Sequence, residues 1–576
     1  MNTAEFFSSI YNIKKSTDMG KMALATYLMA SQFGGISPKR KIHAKMKAAQ
    51  LSFAVSNDAP MALNALKSAV SDLPEAILAG LNRGDQLRMI RETVWLPSNV
   101  AAAAIATGSS PEEAFRLFES SRGVIWESLL NEKYDIGLLE SDHPELAGRF
   151  KSLQKRVTQM TSADKLENPQ LDVLKGRQES HQAALQYNEV LAQIRSLAGF
   201  ESFLRVPQEP SSLTEFAADG PVILVNCTEF RSDCLIIKQE GVVSIPLPGM
   251  TYDASIKNAA NLMAALSEMG NSPEWASKTF EEVLIWLWNN VAEPIMQELG
   301  YLTISKSETQ NRRVWWVSTG LISILPIHAA GDHRRALKTG EPCSVIDLTT
   351  SSYCNSLRSL DYARKTFVTS QLGQGKHNAL LLQMPETPNC DSLPGVAKEV
   401  SLIKGILEKA QHSATVLDTP SREPVLSLLK TSQIAHFACH GVIDAEDPSL
   451  SRLLLKDWKQ RTLNVRTLLR TKSLACQLIF LSACESAVGK DMKLREEGIH
   501  ISGGFQMAGV PHVVGTLWRV DDQFGVIVAE GFYRDLAGDN GMNIERSSES
   551  LRRAVLDTRA NGVDPLYWAA YIHSGP

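Results

Sequence analysis

The chain has 576 residues, enough for several domains, and its 44% apolar and 21% charged content is that of an ordinary globular protein. Its 59 basic and 63 acidic residues leave a formal charge of −4, so charge gives no reason to expect nucleic acid or a membrane surface as a partner. Eight cysteines are scattered without a close CxxC pair, several in apolar runs, a pattern of reduced, buried thiols. With no signal-peptide h-region and no apolar run of membrane length, the expected location is cytoplasmic.

Residues 1–135 read as helices. Ala62, Leu66 and Ala69 recur at offsets of four and three, and Ala114, Phe118 and Ser121 repeat the pattern. Pro60 and Pro111 suit first helical turns, with Ser109 or Ser110 as cap of the second helix. The small-large-small stripe resembles the second helix of a tetratricopeptide (TPR) unit, where a small residue lets the neighbouring helix approach closely. The two stripes are not separated by a multiple of the repeat length and no full consensus is present. The region is therefore degenerate TPR-like, with a plain helical domain as the alternative. Residues 136–210 read as a polar helical linker, with Leu185, Val190, Leu191, Ile194 and Leu197 at helical spacing after a break at Asn168-Pro169.

Strand signals begin after Pro210. GPVILVNCTEF and DCLIIKQEGVVSIPL predict strands with a turn at Glu240-Gly241. A helix follows over Pro273–Leu299, then strands at Val314–Thr319 and ALLLQM, a helix over Val396–Leu407 and a strand at ATVLD. Alternating strands and helices predict a mostly parallel α/β sheet with covered faces.

Two stretches carry the chemistry. QIAHFACHG (Gln433–Gly441) and LIFLSACESAVG (Leu478–Gly489) each open as a short apolar run fit for a buried strand, then meet small residues. As parallel neighbours they would deliver His440 and Cys484 side by side at the carboxyl edge of the sheet, where open α/β sheets place ligands. The intervening residues provide a loop (Asp444–Ser451) and a crossover segment (Leu463–Leu474). A thiol beside an imidazole is a nucleophile beside its base. A helix from Glu485 onward would lower the thiol pKa through its amino-terminal dipole.

HFACHG, then LSACES, then GTLWRVDD resembles the CHAT domain of clan CD cysteine peptidases, relatives of caspases and separase. LISILPIHAAG (Leu321–Gly331), SSYCNSLRSL (Ser351–Leu360) and EEGIHISGGFQMAGVPHVVGTLW (Glu496–Trp518) agree, so the resemblance covers roughly Gly220 to the last residue. It implies an α/β caspase-like region with a pseudo-caspase-like half at 211–390 and a catalytic half at 391–576. It further implies Cys484 as nucleophile, His440 as general base, and an oxyanion hole from the backbone N–H groups of Gly441 and Cys484. Separase has a similar W-x-V-x-D stretch and prefers arginine before the cut. By alignment this points to Asp522, more than Asp521, as the acidic floor of a substrate pocket.

Other readings stand beside these. His436 and His440, an even number apart, would share a strand face, but no third ligand has metal spacing, and His436 reads as structural. Asp521 and Asp522 equally suit a cap for a helix from Gln523. No Walker loop, Rossmann fingerprint or zinc signature is present, so no cofactor is expected. The expected function is a cysteine endopeptidase in regulated proteolysis, such as cell death or innate immunity. Its partners would be a protein substrate (gasdermin-like, by analogy) and a regulatory protein or ligand at the amino-terminal helices. The alternative is an inactive scaffold in which the helical surface is the functional part.

Overall fold

The computed structural model describes residues 2–33, 38–78, 91–122, 139–140, 142–160, 186–187, 189–197, 200, 212–302, 312–369, 378–444, 447–471, 474–482, 501–537 and 542–576. At a few positions within elements, Asp522 among them, only the backbone is described. The chain forms two compact units, Met1–Ser211 and Ser212–Pro576.

The first unit is helical. Helices α1 (Asn2–Lys14), α2 (Thr17–Gln32), α3 (Pro38–Leu51), α4 (Ala59–Leu78), α5 (Leu96–Ala106) and α6 (Pro111–Ser120) each pack chiefly on the next. Small residues make this close packing possible: Ala23, Ala44 and Ala48 are buried around Leu24 and Tyr27. The stripe Ala62, Leu66, Ala69 is buried on α4, and Ala114 and Phe118 are buried on α6. Ser110 caps α6 by accepting from the Glu113 N–H at 3.1 Å. In the expected linker, α7 (Pro144–Met160) and a helical segment at 189–195 bury Phe150, Val190, Leu191 and Ile194 together. Leu185 and Asn168-Pro169 lie outside the described residues.

Among the described residues, the second unit is built on one eleven-stranded sheet. The strands are β1 (Val222–Cys227), β2 (Ser232–Lys238), β3 (Gly241–Pro246), β4 (Arg313–Ser318), β5 (Thr350–Tyr353), β6 (Asn378–Gln383), β7 (Ser413–Asp418), β8 (Ile434–Ala438), β12 (Leu478–Ser482), β13 (His512–Thr516) and β14 (Tyr571–Ser574). Across the sheet their order is β3-β2-β1-β4-β5-β14-β13-β12-β8-β6-β7. Pairing is mostly parallel; the antiparallel pairs are β1–β2, β2–β3 and β13–β14. Its helices include α8 (Tyr252–Glu268), α9 (Pro273–Leu287), α10 (Val396–Lys409), which packs on β6 and β7, α11 (Asp522–Ala537), and α12 (Ser547–Ala560), which packs on β5 and β14. Strands buried on both faces are rich in apolar residues, and β1, β8 and β13 are buried throughout, with Asn226, His436 and His512 among the few polar side chains they enclose. The LPIHAAG motif serves packing: a Cβ on Gly331 would stand 2.2 Å from the Ser344 Cβ, so only glycine fits there.

A second sheet, of three antiparallel strands, has no counterpart in the sequence expectations. It consists of β9 (His440–Val442), β10 (Arg452–Leu454) and β11 (Leu463–Asn464), with β10 in the middle. The apolar run from Ile434 to Cys439 is therefore not one strand leading into His440. The ladder with β6 and β12 ends at Ala438, and His440 starts a new strand paired with Leu454. His436 and His440 accordingly belong to different strands and share no strand face.

Among the described residues, four of the buried histidines of this unit are hydrogen-bonded and held neutral by burial. His512 Nδ1 and His573 Nε2 are 3.0 Å apart, and His573 Nδ1 lies 2.9 Å from the Ser352 hydroxyl. His328 Nδ1 lies 2.9 Å from the Tyr353 hydroxyl, and His333 Nε2 lies 2.8 Å from the Ala329 carbonyl. Burial is the main cause that lowers their pKa values, to about 3 for His328 and His512, about 4 for His333, and well below the usual value for His573. Unfolded, each titrates near pH 6.5, so unfolding takes up protons between there and the lowered folded values. Stability should thus fall as pH drops from about 6.5 towards about 4, by ~1.4 kcal/mol per pH unit for each proton taken up. Chemical unfolding across that range should show this slope, and His512→Gln should reduce it by one proton's worth.

Candidate active site

The site is set by two strand ends. β8 and β12 are adjacent and parallel, with Leu478 opposite Ile434 and Ser482 opposite Ala438. His440 and Cys484 each follow two residues beyond this last pair in the sequence. Cys484 itself lies outside the described residues, as does the expected helix at Glu485.

His440 is half-buried at the start of β9. Its Nε2 lies 2.8 Å from the carbonyl oxygen of Asp391. A carbonyl can only accept, so this geometry assigns the proton to Nε2 and leaves Nδ1 as the basic nitrogen. The Asp391 loop is itself held. Met384 N–H donates to the Ala438 carbonyl at 2.9 Å, Leu393 N–H to the Pro385 carbonyl at 2.9 Å, and the Trp458 indole to the Pro388 carbonyl at 3.1 Å. Gly441 sits in the middle of β9 opposite Leu453, on an edge strand whose single sheet neighbour is β10.

The loop between β9 and β10 is pinned by the buried Asp447. Its Oδ1 accepts from the Ser449 N–H at 3.0 Å, and its Oδ2 pairs with Arg466, whose Nε donates to the Ser449 hydroxyl at 2.8 Å.

β13 runs parallel to β12, so the segment after Thr516 leaves the sheet at the same carboxyl edge. Trp518 is buried there, donating its indole N–H to the Leu566 carbonyl at 2.8 Å and standing edge-on to Phe280 of α9. Asp521 is exposed, and its carboxylate accepts from the Gln523 N–H at 2.9 Å, so it acts as a cap of α11. Asp522 is the first residue of α11, with its backbone alone described. The first turn of this helix meets the end of β12, where a Cβ on Gly525 would lie 3.7 Å from the Ser482 Oγ.

Sequence reasoning missed two features. The Asp391 carbonyl leaves no signal, because any residue supplies one. Glu399 does leave a signal: it is a carboxylate within the apolar stripe Val396, Val400, Ile403, Leu407 of α10, and it is 1% exposed. It faces His436 of β8 at 3.1 Å.

Among the described residues no group of three or more His, Cys, Asp or Glu side chains could hold a metal ion. No described helix is long and apolar enough to cross a membrane. An open groove of about 610 Å³ lies elsewhere, between α9 and residues 333–339, lined by charges of both signs such as Lys278, Glu282, Asp332 and Lys338. Its lining includes none of the residues that carry the strand-end chemistry.

The CHAT domain family profile matches residues 281–576. A search of curated proteins finds no match. Two crystal structures of the Saccharomyces cerevisiae separase–securin complex, at 3.0 and 2.6 Å, are similar to this chain with TM-scores of 0.43 and 0.42 and 11% identity. Each similarity covers 100% of this chain and 49% of the matched one, so the chain spans about half the length of those it resembles.

The arrangement at His440 leaves a directly readable tautomer. Neutral His440 should be the Nε2–H form, and two-bond nitrogen–proton spectra of histidine-labelled protein should show Nδ1 as the unprotonated nitrogen.

Proposed function

Since this chain belongs to the CHAT domain family, with the matching profile spanning residues 281–576, we propose that it is a cysteine endopeptidase with a Cys484–His440 dyad. The observation that carries the reading is the register of β8 and β12, which brings two strands to a common end just before a histidine and a cysteine. The Asp391 carbonyl supports it by leaving Nδ1 of His440 as the base.

In this reading the thiol proton passes to Nδ1, and the thiolate of Cys484 attacks the scissile carbonyl. The backbone N–H groups of Gly441 and Cys484 stabilise the oxyanion. The imidazolium protonates the leaving amine, a thioester remains, and water activated by His440 hydrolyses it to the acid and the free thiol. The catalytic half is 391–576, beside a pseudo-caspase-like half at 211–390. The linker at 136–210 joins them to degenerate TPR-like helices at 1–135, which recruit a regulatory protein or ligand. The enzyme acts in the cytoplasm on a protein substrate, in regulated proteolysis of the kind that drives cell death or innate immunity, with a gasdermin-like protein as one candidate substrate.

Specificity follows from the segment after β13. Asp522, more than Asp521, is the acid proposed to read the residue before the cut, while the Asp521 carboxylate also accepts from the Gln523 N–H. A walled carboxylate pairs bidentately with arginine and rejects neutral or acidic side chains.

Cys484→Ala and His440→Ala should each abolish peptide cleavage, and the double variant should be no worse than either, because members of one catalytic unit are not additive. Proteome-wide cleavage mapping of wild type against Cys484→Ala tests this. Full activity in folded Cys484→Ala protein would remove the dyad, and the absence of any wild-type activity would favour the inactive scaffold. Asp522→Ala should raise the barrier for arginine substrates by about 2–4 kcal/mol, the scale of leaving a buried charge unpaired. Values of kcat/KM on arginine and neutral peptides will read it, and unchanged arginine selectivity would exclude this pocket.

A further inference from the structure

We infer that His436 is a positioning residue that holds three site-bearing elements in mutual register, an inference that rests on the Cys484–His440 dyad. His436 is fully buried on β8. Its ring lies flat against Phe480 of β12, with centroids 5.2 Å apart and planes at 24°. It stands edge-on to Tyr533 of α11 at 5.6 Å, and its Nε2 lies 3.1 Å from the Glu399 carboxylate on α10. Each neighbour belongs to an element that delivers a different part of the site. β12 leads to Cys484, α10 follows the loop whose Asp391 carbonyl holds His440, and α11 starts at Asp522.

Net stability does not account for this cluster. Glu399 and Tyr533 are as buried as His436, and burial, followed by the Glu399 charge, pushes the Tyr533 hydroxyl pKa up. The approach of His436 to Glu399 is short but oblique. Neither imidazole nitrogen, nor Glu399 Oε1, nor the Tyr533 hydroxyl has a hydrogen-bond partner. Leu381, opposite His436 on β6, and Val400, Ile403 and Phe532 on the helices belong to one buried apolar cluster. In such a place, packed hydrophobic residues would be as stabilising as a buried ionisable pair, or more so. What the polar pair adds is an electrostatic attraction across 3.1 Å that weakens with distance, so one relative placement of β8 and α10 is preferred over its neighbours. The flat contact with Phe480 extends that preference to β12, and the dyad separation inherits it.

The test uses the full chain and iodoacetamide, with Cys484 alkylation followed by mass spectrometry across pH, beside thermal melting. His436→Phe combined with Glu399→Leu should melt at or above the wild-type temperature. In that double variant Cys484 should alkylate at least about tenfold more slowly, with a displaced pH profile, since misplacement by about 1 Å carries up to about 10²-fold in rate. Glu399→Gln, of nearly equal size, should show a smaller slowing in the same direction, and it decides the matter if the double variant does not fold. Wild-type alkylation rates in these folded variants would overturn the positioning role while leaving the dyad standing. Wild-type Cys484 reacting no faster than in His440→Ala would instead overturn the dyad, and this inference with it.

Discussion

The pairing of β8 with β12 is the constraint on which the rest of the second unit depends. Parallel strands bond with evenly spaced, slanted hydrogen bonds, and a slip of one residue would move one strand end by about 3.3 Å and turn every side chain to the other face. Such a slip would exchange the environments of His436, which meets α10 and α11, and Phe437, which packs 5.5 Å from Phe505 on the opposite face. One register therefore suits both faces at once. It is the register that sets Ala438 against Ser482.

Around this pair the fold repeatedly uses backbone groups to fix side chains. The imidazole of His440 is oriented by a carbonyl, the Asp391 loop by main-chain bonds from Met384 and Leu393, and Trp518 by the Leu566 carbonyl. Main-chain partners suit this work, because their positions are set by the sheet and helices rather than by rotamer choice. His328, His333, His512 and His573 have been made neutral by burial and serve packing. His440 differs from them in remaining half-exposed at a strand start.

β14 ties the two sequence halves of the sheet together. It pairs antiparallel with β13 and parallel with β5, so a strand from the last residues stands between elements separated by about 160 residues of chain. Arg552 on α12 adds to this closure by donating to the Ile346 and Asp347 carbonyls at 2.7 and 3.0 Å. One apolar core runs from Ile223 to Ile572 in consequence.

Much of this was legible in the residues. Strand-like runs placed β1, β4, β6, β7 and β8, the turn near Glu240 placed the β2–β3 hairpin, helical spacing placed α4 and α6, and the helices expected over 273–299 and 396–407 contain α9 and match α10, because burial pattern is a local property of the chain. The apolar runs of β8 and β12, which end at Ala438 and Ser482, were legible for the same reason, as was the capping role open to Asp521. Three things were decided only by tertiary structure. His440 belongs to its own strand because Leu454, 14 residues away, offers it a partner once the ladder of β8 has run out at Ala438. The orienter of its imidazole is a main-chain carbonyl, which every residue type carries and no sequence pattern can mark. His436 meets Glu399, Phe480 and Tyr533 because three elements distant along the chain converge on one point, and such convergence is a product of packing, not of local periodicity.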